Sequence, residues 1–463
     1  MPFRLGIDIA CRAAHQASLA DEQGRFVWTG RRFRTTPLDL IGLWAMLPAG
    51  TDPADVLVIM EPTRNAWVPL AAWFRRRGAR VVLVPPERSA DLRRYYAKHA
   101  KSDRLDSQLL ARLPMLHPDG LHAESSLGPG DALKRAAKLH STLTRRRTQS
   151  LARLDALLEI LSPAWHAAIG AELGSRTVLR FLGAGYADPH VVRRLGRSRL
   201  TRFCYRHSRG AWGEPMAEAI LAAAAETLQL WAGGELDYPD LAEDIAIEAR
   251  LALQLTEEIK DLDERTALLL AQADPKAILT SAPGVAHITA AAILGRLGDP
   301  ARFASLAGVR AFTGLVPTLD ASGLTGRHGP PTKRGDAVLR QALFMAAGQA
   351  RRIDPSLAAK YHRLMVSAGK HHNSALCHIA TALLSRIVAC WRTGQPYILR
   401  DVDGTPVTKE QARAIIAERY TIPKDLRATR RTTAAGTGRR NKKSHSAPST
   451  GPSTTNATTH PAA

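Results

Sequence analysis

The sequence has few cysteines: four in 463 residues, Cys11, Cys204, Cys377 and Cys390, all far apart. No Cys-x-x-Cys pair and no histidine at zinc-finger spacing accompanies them, which excludes a disulfide framework and structural zinc and fits a reducing cytosol. Long apolar runs are also missing. No stretch approaches the roughly 20 residues of a membrane span, and the N-terminus reads at once as a strand rather than as a charged-then-apolar signal peptide. The expectation is a soluble cytosolic protein with no membrane partner.

Acid is the third shortage. Asp and Glu number 42 against 64 Lys and Arg, for a formal charge of +22. That excess is beyond what solubility asks and points to a polyanionic partner. Part of it lies in a tail, where residues 424–443 carry eight basic side chains and one acid before an end rich in Ser, Thr, Pro and Ala. Most belongs to the folded part, with ten basic residues against three acids over 75–104 and seven with no acid over 134–153. A single such run is first of all a solvated face; several beside a carboxylate cluster point to phosphate.

What is present is an ordinary globular composition, 45% apolar, long enough for two or three domains. Residues 3–10 alternate, Leu5, Ile7 and Ile9 against Gly6, Asp8 and Ala10, the period of a strand. Runs at 16–20 and 25–32, joined by a turn at 21–24, complete a three-stranded meander. The unbroken apolar run 56–60 predicts a buried strand ending at Glu61, followed by a helix from Trp67, a stop at Gly78 and a second buried strand over 79–84. A meander followed by βαβ units is an RNase-H-like order of elements. Leu- and Ala-rich stretches at 131–161 and 239–272 read as long helices able to pair or dimerise as a coiled coil. Residues 277–391 read as a second, mostly helical unit.

Three constellations carry chemistry. Asp8, Glu61, Asp103 and Asp106 supply the oxygen ligands that divalent cations need at a phosphodiester, with Asp103 and Asp106 on one helix face. An isolated Asp is usually a surface acid, but a carboxylate in the first strand of a buried sheet must be desolvated, paired or metal-bound. Around Pro283-Gly284-Val285, an apolar residue, a turn and a small-residue helix suggest a helix-hairpin-helix, with a plain helical hairpin as the alternative. Ser322-Gly323, followed by Arg327, His328, Lys333, Arg334 and Arg340, offers a hydroxyl nucleophile beside cations, although Ser-Gly taken alone is a turn.

Taken in order, Gly6-Ile7-Asp8, Met60-Glu61-Pro62-Thr63, Lys101-Ser102-Asp103-Arg104-Leu105-Asp106, Pro283-Gly284-Val285, Ser322-Gly323 and Lys333-Arg334-Gly335 through Leu339-Arg340 resemble the IS one-ten and IS eleven-eleven families of insertion-sequence transposases. These are DEDD transposases described as bridge-RNA-guided recombinases. The resemblance implies an α/β plus α architecture: an RNase-H-like, RuvC-like DEDD domain over 1–125, a helical coiled-coil linker with a basic insertion over 126–275, a C-terminal transposase domain over 276–400, and a basic, largely disordered tail over 401–463. It further implies a Mg²⁺ site at Asp8, Glu61, Asp103 and Asp106, and attack on DNA by Ser322 to give a phosphoserine intermediate. Arg327, Lys333, Arg334 and Arg340 are candidate phosphate contacts. The implied partners are element-end and target DNA, a non-coding guide RNA and further copies of the chain, as a dimer or tetramer, in the bacterial cytosol or nucleoid. The sequence departs from the family in having Arg64 where a glycine is usual, and in the basic segment 196–233. Two rival readings stay open: a Holliday-junction-type nuclease that uses metal and water, and a non-catalytic nucleic-acid-binding protein with a degenerate fold.

Overall fold

The computed structural model describes residues 2–84, 86, 89, 94, 102–116, 131–300, 303, 305–322, 325–333, 335–426, 428 and 429, with the backbone alone for 319–322, 325–328 and 330. The chain forms two compact units, residues 1–275 with 286–305, and residues 276–285 with 306–463. The expected segments 1–125 and 126–275 thus lie in one unit, joined by a stretch from beyond 275.

In the first unit β1 (Phe3–Asp8), β2 (His15–Ala20) and β3 (Phe26–Phe33) form an antiparallel meander, with α1 (Pro37–Ala45) following. Thr36 starts α1 by accepting from Asp39 N–H at 3.2 Å, with Pro37 supplying a preset φ. Next come β4 (Val56–Met60), α2 (Trp67–Arg76) and β5 (Arg80–Leu83), whose strands extend the sheet in parallel to give the order β3-β2-β1-β4-β5. Alternation decides the two faces. Leu5, Ile7, Val58 and Met60 pack with Leu40, Leu43, Leu70 and Phe74 of α1 and α2, while Ile59 and Val82 pack with Leu110 and Leu113 of α3 (Asp103–Leu116). Gly6 and Asp8 share the α3 face.

The two long helices are α4 (Ala132–Leu161) and, after α5 (Pro163–Ile169), α6 (Arg176–Gly183), α7 (Pro189–His207) and α8 (Glu214–Leu230), α9 (Tyr238–Ala273). They pair antiparallel within the chain, as His140–Asp263 (3.1 Å), Arg147–Thr256 (2.7 Å) and Arg153–Glu248 (2.6 Å) record. The intervening helices form a body around Leu154, Leu158, Trp165, Phe181 and Ile220, which is where the basic segment 196–233 folds. Inside α7 the backbone breaks at Gly196 (φ 74°, ψ 165°). Helix α10 (His287–Leu297) packs on α4 so closely that a Cβ on Gly295 would lie 2.5 Å from Lys134 N.

The second unit holds α11 (Leu306–Thr313), the hairpin β6 (Pro317–Ser322) and β7 (Thr325–Pro331), then α12 (Ala337–Ala350), α13 (Pro355–Met365), α14 (His372–Thr393) and α15 (Lys409–Arg419). By length and composition α14 is apolar enough to cross a membrane, an exception to the sequence expectation. Its stripe Ala375, Ile379, Leu383 and Ile387 is buried in this unit, and its Arg386 pairs at 3.3 Å with buried Asp354, which caps α13. These are features of a core helix.

Two expectations are corrected. The segment before Pro283 is a series of turns and not the first helix of a helix-hairpin-helix, because Pro275, Ala277 at φ 53° and Pro283 interrupt helical geometry. The part of the expected disordered tail from 401 to 426 is folded: a Thr408–Gln411 capping box starts α15, and Ala412 is buried. Residues 430–463 lie outside the described residues.

Candidate active site

Asp8 closes β1, and Glu61 follows β4 directly. The parallel register sets Ile7 opposite Met60, so the two carboxylates stand at neighbouring strand ends, and alternation turns both to the α3 side. Carboxyl ends of parallel strands are where open sheets place ligands. Helix α3 reaches this edge because Gly6 has no side chain: a Cβ there would lie 2.2 Å from Ser107 O and 2.3 Å from Ala111 N. The buried pair Ser18 Oγ and Ser107 Oγ, 2.8 Å apart, fixes α3 over β2, and Arg104 donates to Thr29 Oγ1 on β3 at 2.8 Å.

This seating brings Asp106 into one small cavity with Asp8, Glu61 and Ser89, backed by Leu109, Leu110 and Leu113. The cavity has room for about one water, roughly 10 Å³. Every polar side chain on it offers oxygen, the donor type that hard divalent cations take, so the residues fit such an ion. Asp103, one turn earlier, is exposed and does not line the cavity. Ser89, which sequence reasoning passed over, donates its hydroxyl to Glu61 Oε2. Its only signal is its position just past β5, at the same edge of the sheet. Elsewhere Asp155, Glu159 and His166 gather with their ligand atoms within 4.8 Å of one another, and the His166–Asp155 ion pair at 3.0 Å accounts for part of that grouping.

Two neighbours tune the loops that carry the acids. After β1, Ala10 N–H donates to His15 Nδ1 at 3.2 Å, which leaves the Nε2 proton to donate to Thr35 Oγ1 at 2.7 Å. Burial holds His15 below the usual imidazole range, because the neutral ring is the one that fits. The unfolded chain takes up a proton as pH falls through 6.5 and the folded chain resists it, so this contribution to stability is present above 6.5 and lost at lower pH. We expect the melting temperature to drop between about pH 7 and 5, and His15→Asn to make that slope shallower. After Glu61, Arg64 adopts φ 49°, the left-handed region, while its carbonyl accepts from Trp67 Nε1 at 3.1 Å. Glycine takes this conformation without the Cβ penalty, so Arg64→Gly should stabilise the protein by about 1 kcal/mol in denaturant unfolding.

The serine loop lies in the second unit. Ser322 ends β6 opposite Thr325 at the tip of the hairpin; its side chain and that of Arg327 lie outside the described residues, as does Arg334. Lys333 is exposed at φ 54°. Arg340 donates to the carbonyls of Thr313 and Lys333, both at 3.2 Å, and so braces the base of the hairpin. Gly284 (φ 74°) sits against α12, where a Cβ would lie 2.4 Å from Ala346 O.

A mixed sheet with three carboxylates at one edge, joined to a largely helical C-terminal part, defines a DEDD nuclease-like domain of the kind that transposases carry. Residues 5–163 match the IS110 DEDD transposases, and residues 276–363 match the family described as Transposase IS116/IS110/IS902. The chain is 29% identical over 360 residues to the insertion element IS110 43.6 kDa protein of Streptomyces coelicolor, spanning 74% of this chain and 83% of that one. It is 24% identical over 377 residues to the insertion element IS116 44.8 kDa protein of Streptomyces clavuligerus, spanning 81% and 91%. The chain belongs to the IS110 family of insertion-sequence transposases. It is therefore an enzyme that acts on DNA, and its family implies use of a divalent metal.

Proposed function

We propose that the chain cuts and rejoins DNA strands at element ends and target, guided by a non-coding RNA, with Ser322 as nucleophile and Asp8, Glu61 and Asp106 as the Mg²⁺-binding acids, joined by Asp103 when DNA is bound. The observation that carries this reading is the convergence of Asp8, Glu61 and Asp106 on one cavity at the strand ends. Bound Mg²⁺ supplies charge neutralisation at the scissile phosphate. The carboxylates hold that charge in place, and Ser89 orients Glu61. Ser322 Oγ forms a bond to phosphorus as the bond to the departing sugar oxygen breaks, and the serine proton passes by way of solvent to that oxygen, so that the phosphodiester bond energy is conserved for religation. Lys333, Arg327 and Arg334 serve as phosphate contacts, and Arg340 positions the hairpin. RNA guidance and assembly as a dimer or tetramer rest on the family resemblance.

The test is denaturing electrophoresis of the protein incubated with Mg²⁺, labelled element-end DNA and RNA transcribed from the flanking non-coding region. A labelled protein–DNA adduct is expected from the wild type, and none from Ser322→Ala. An adduct that survives the substitution overturns the serine assignment, and free cleaved DNA without any adduct makes the enzyme a metal-and-water nuclease.

A further inference from the structure

Helix α7 and the turn after it carry a concentration of positive charge that the acid cavity does not explain. Between residues 189 and 209 there are seven arginines and no acid. Its buried edge, Val192, Leu200 and Cys204, packs into the helical body, and the arginines lie on the outer side. Some are already engaged. Arg197 pairs with Glu214 and Glu218, and Arg199 donates at 2.8 Å to the carbonyls of Leu195 and Arg194 across the break at Gly196. Arg202, Arg206 and Arg209 are exposed, and among the described residues none of them has a carboxylate partner. Arg202 and Arg206, four apart, share one face of α7, and Arg209 follows in the turn just beyond the helix, at φ 57°. Tyr205 stands beside them, 63% exposed. Burial, and then the charges of Arg180 and Arg206, hold His207 below the usual imidazole range.

Like charges held this close repel unless an anion joins them. Guanidinium groups match phosphate oxygens through paired hydrogen bonds, and a duplex presents phosphates in a regular row. We propose that the outer face of α7 and the turn after it, through Arg202, Arg206 and Arg209, bind the phosphodiester backbone of a nucleic-acid duplex. The proposal rests on reading the chain as a nucleic-acid enzyme, but on neither the carboxylate nor the serine assignment.

The test is a salt titration of binding by the full-length protein, followed by fluorescence anisotropy with a DNA duplex and an RNA duplex of equal length. Neutralising three phosphate contacts in R202Q/R206Q/R209Q should lower the slope of log affinity against log salt by about 2–3. The corresponding triple lysine variant should keep the wild-type slope, and both variants should melt with the wild type because the three side chains are exposed. The duplex on which the slope falls identifies the ligand as DNA or RNA. Unchanged slopes on both duplexes overturn the proposal, and a wild-type protein that binds neither duplex overturns the wider reading as well.

Discussion

Asp106→Ala will lower Mg²⁺-dependent strand cleavage by roughly a thousandfold, about 4 kcal/mol of transition-state stabilisation. The side chain lines the cavity with Asp8 and Glu61, so its removal takes away one of three converging oxygen donors. Asp103 opens the same helix but is exposed. If it joins the site only when DNA is bound, Asp103→Ala should cost less, about tenfold. Single-turnover cleavage of element-end DNA at saturating Mg²⁺ separates the two. Equal losses would mean that the cavity does not define the metal site, and full activity in Asp106→Ala would remove it from the reaction altogether.

Gly6→Ala should harm both stability and activity. The added methyl would meet Ser107 O, Ala111 N and Ala111 Cα at 2.2, 2.3 and 2.9 Å, and these are backbone atoms that no rotamer change can move. Helix α3 must then lift from β1, at a cost of about 3 kcal/mol, the upper end for overpacking. Because α3 carries Asp106, a shift of about 1 Å at the carboxylate is enough for a hundredfold loss of rate. Paired with Asp106→Ala, which removes only the carboxylate, this variant distinguishes packing from chemistry. A Gly6→Ala protein with the wild-type melting temperature would refute the close seating of α3.

How much of this the sequence discloses depends on how local each feature is. Alternation at 3–10 and the apolar run at 56–60 announce β1 and β4, and with them the edge that carries Asp8 and Glu61, because a strand's side-chain pattern is set within the strand. The three-residue spacing of Asp103 and Asp106 places them on one helical face but does not say which reaches the cavity. That is decided by where α3 lands on Gly6, a contact across a hundred residues of chain. Ser89 is invisible for the same reason. Around Pro283 the turn reads correctly, whereas the helix expected before it is broken by Ala277 at φ 53°, which composition does not reveal. Helix α15 is a different case: Thr408 and Gln411 spell a capping box that the basic, polar composition around it obscures.

The antiparallel pairing of α4 with α9 also sets the order in which the polypeptide assembles as it is made. Arg147 meets Thr256 and Arg153 meets Glu248 across 109 and 95 residues of chain. At about 5–20 residues per second, α9 follows α4 by roughly 5–20 s, far longer than a helix takes to form. Leu154, Leu158 and Leu161 of α4 therefore gain their first partners from α5 to α8, and the collapse of that body closes the long loop for α9. A nascent chain that stops before residue 238 lacks the helix that covers the rest of the α4 seam, so the pairing that closes this seam waits until that last long helix has been made.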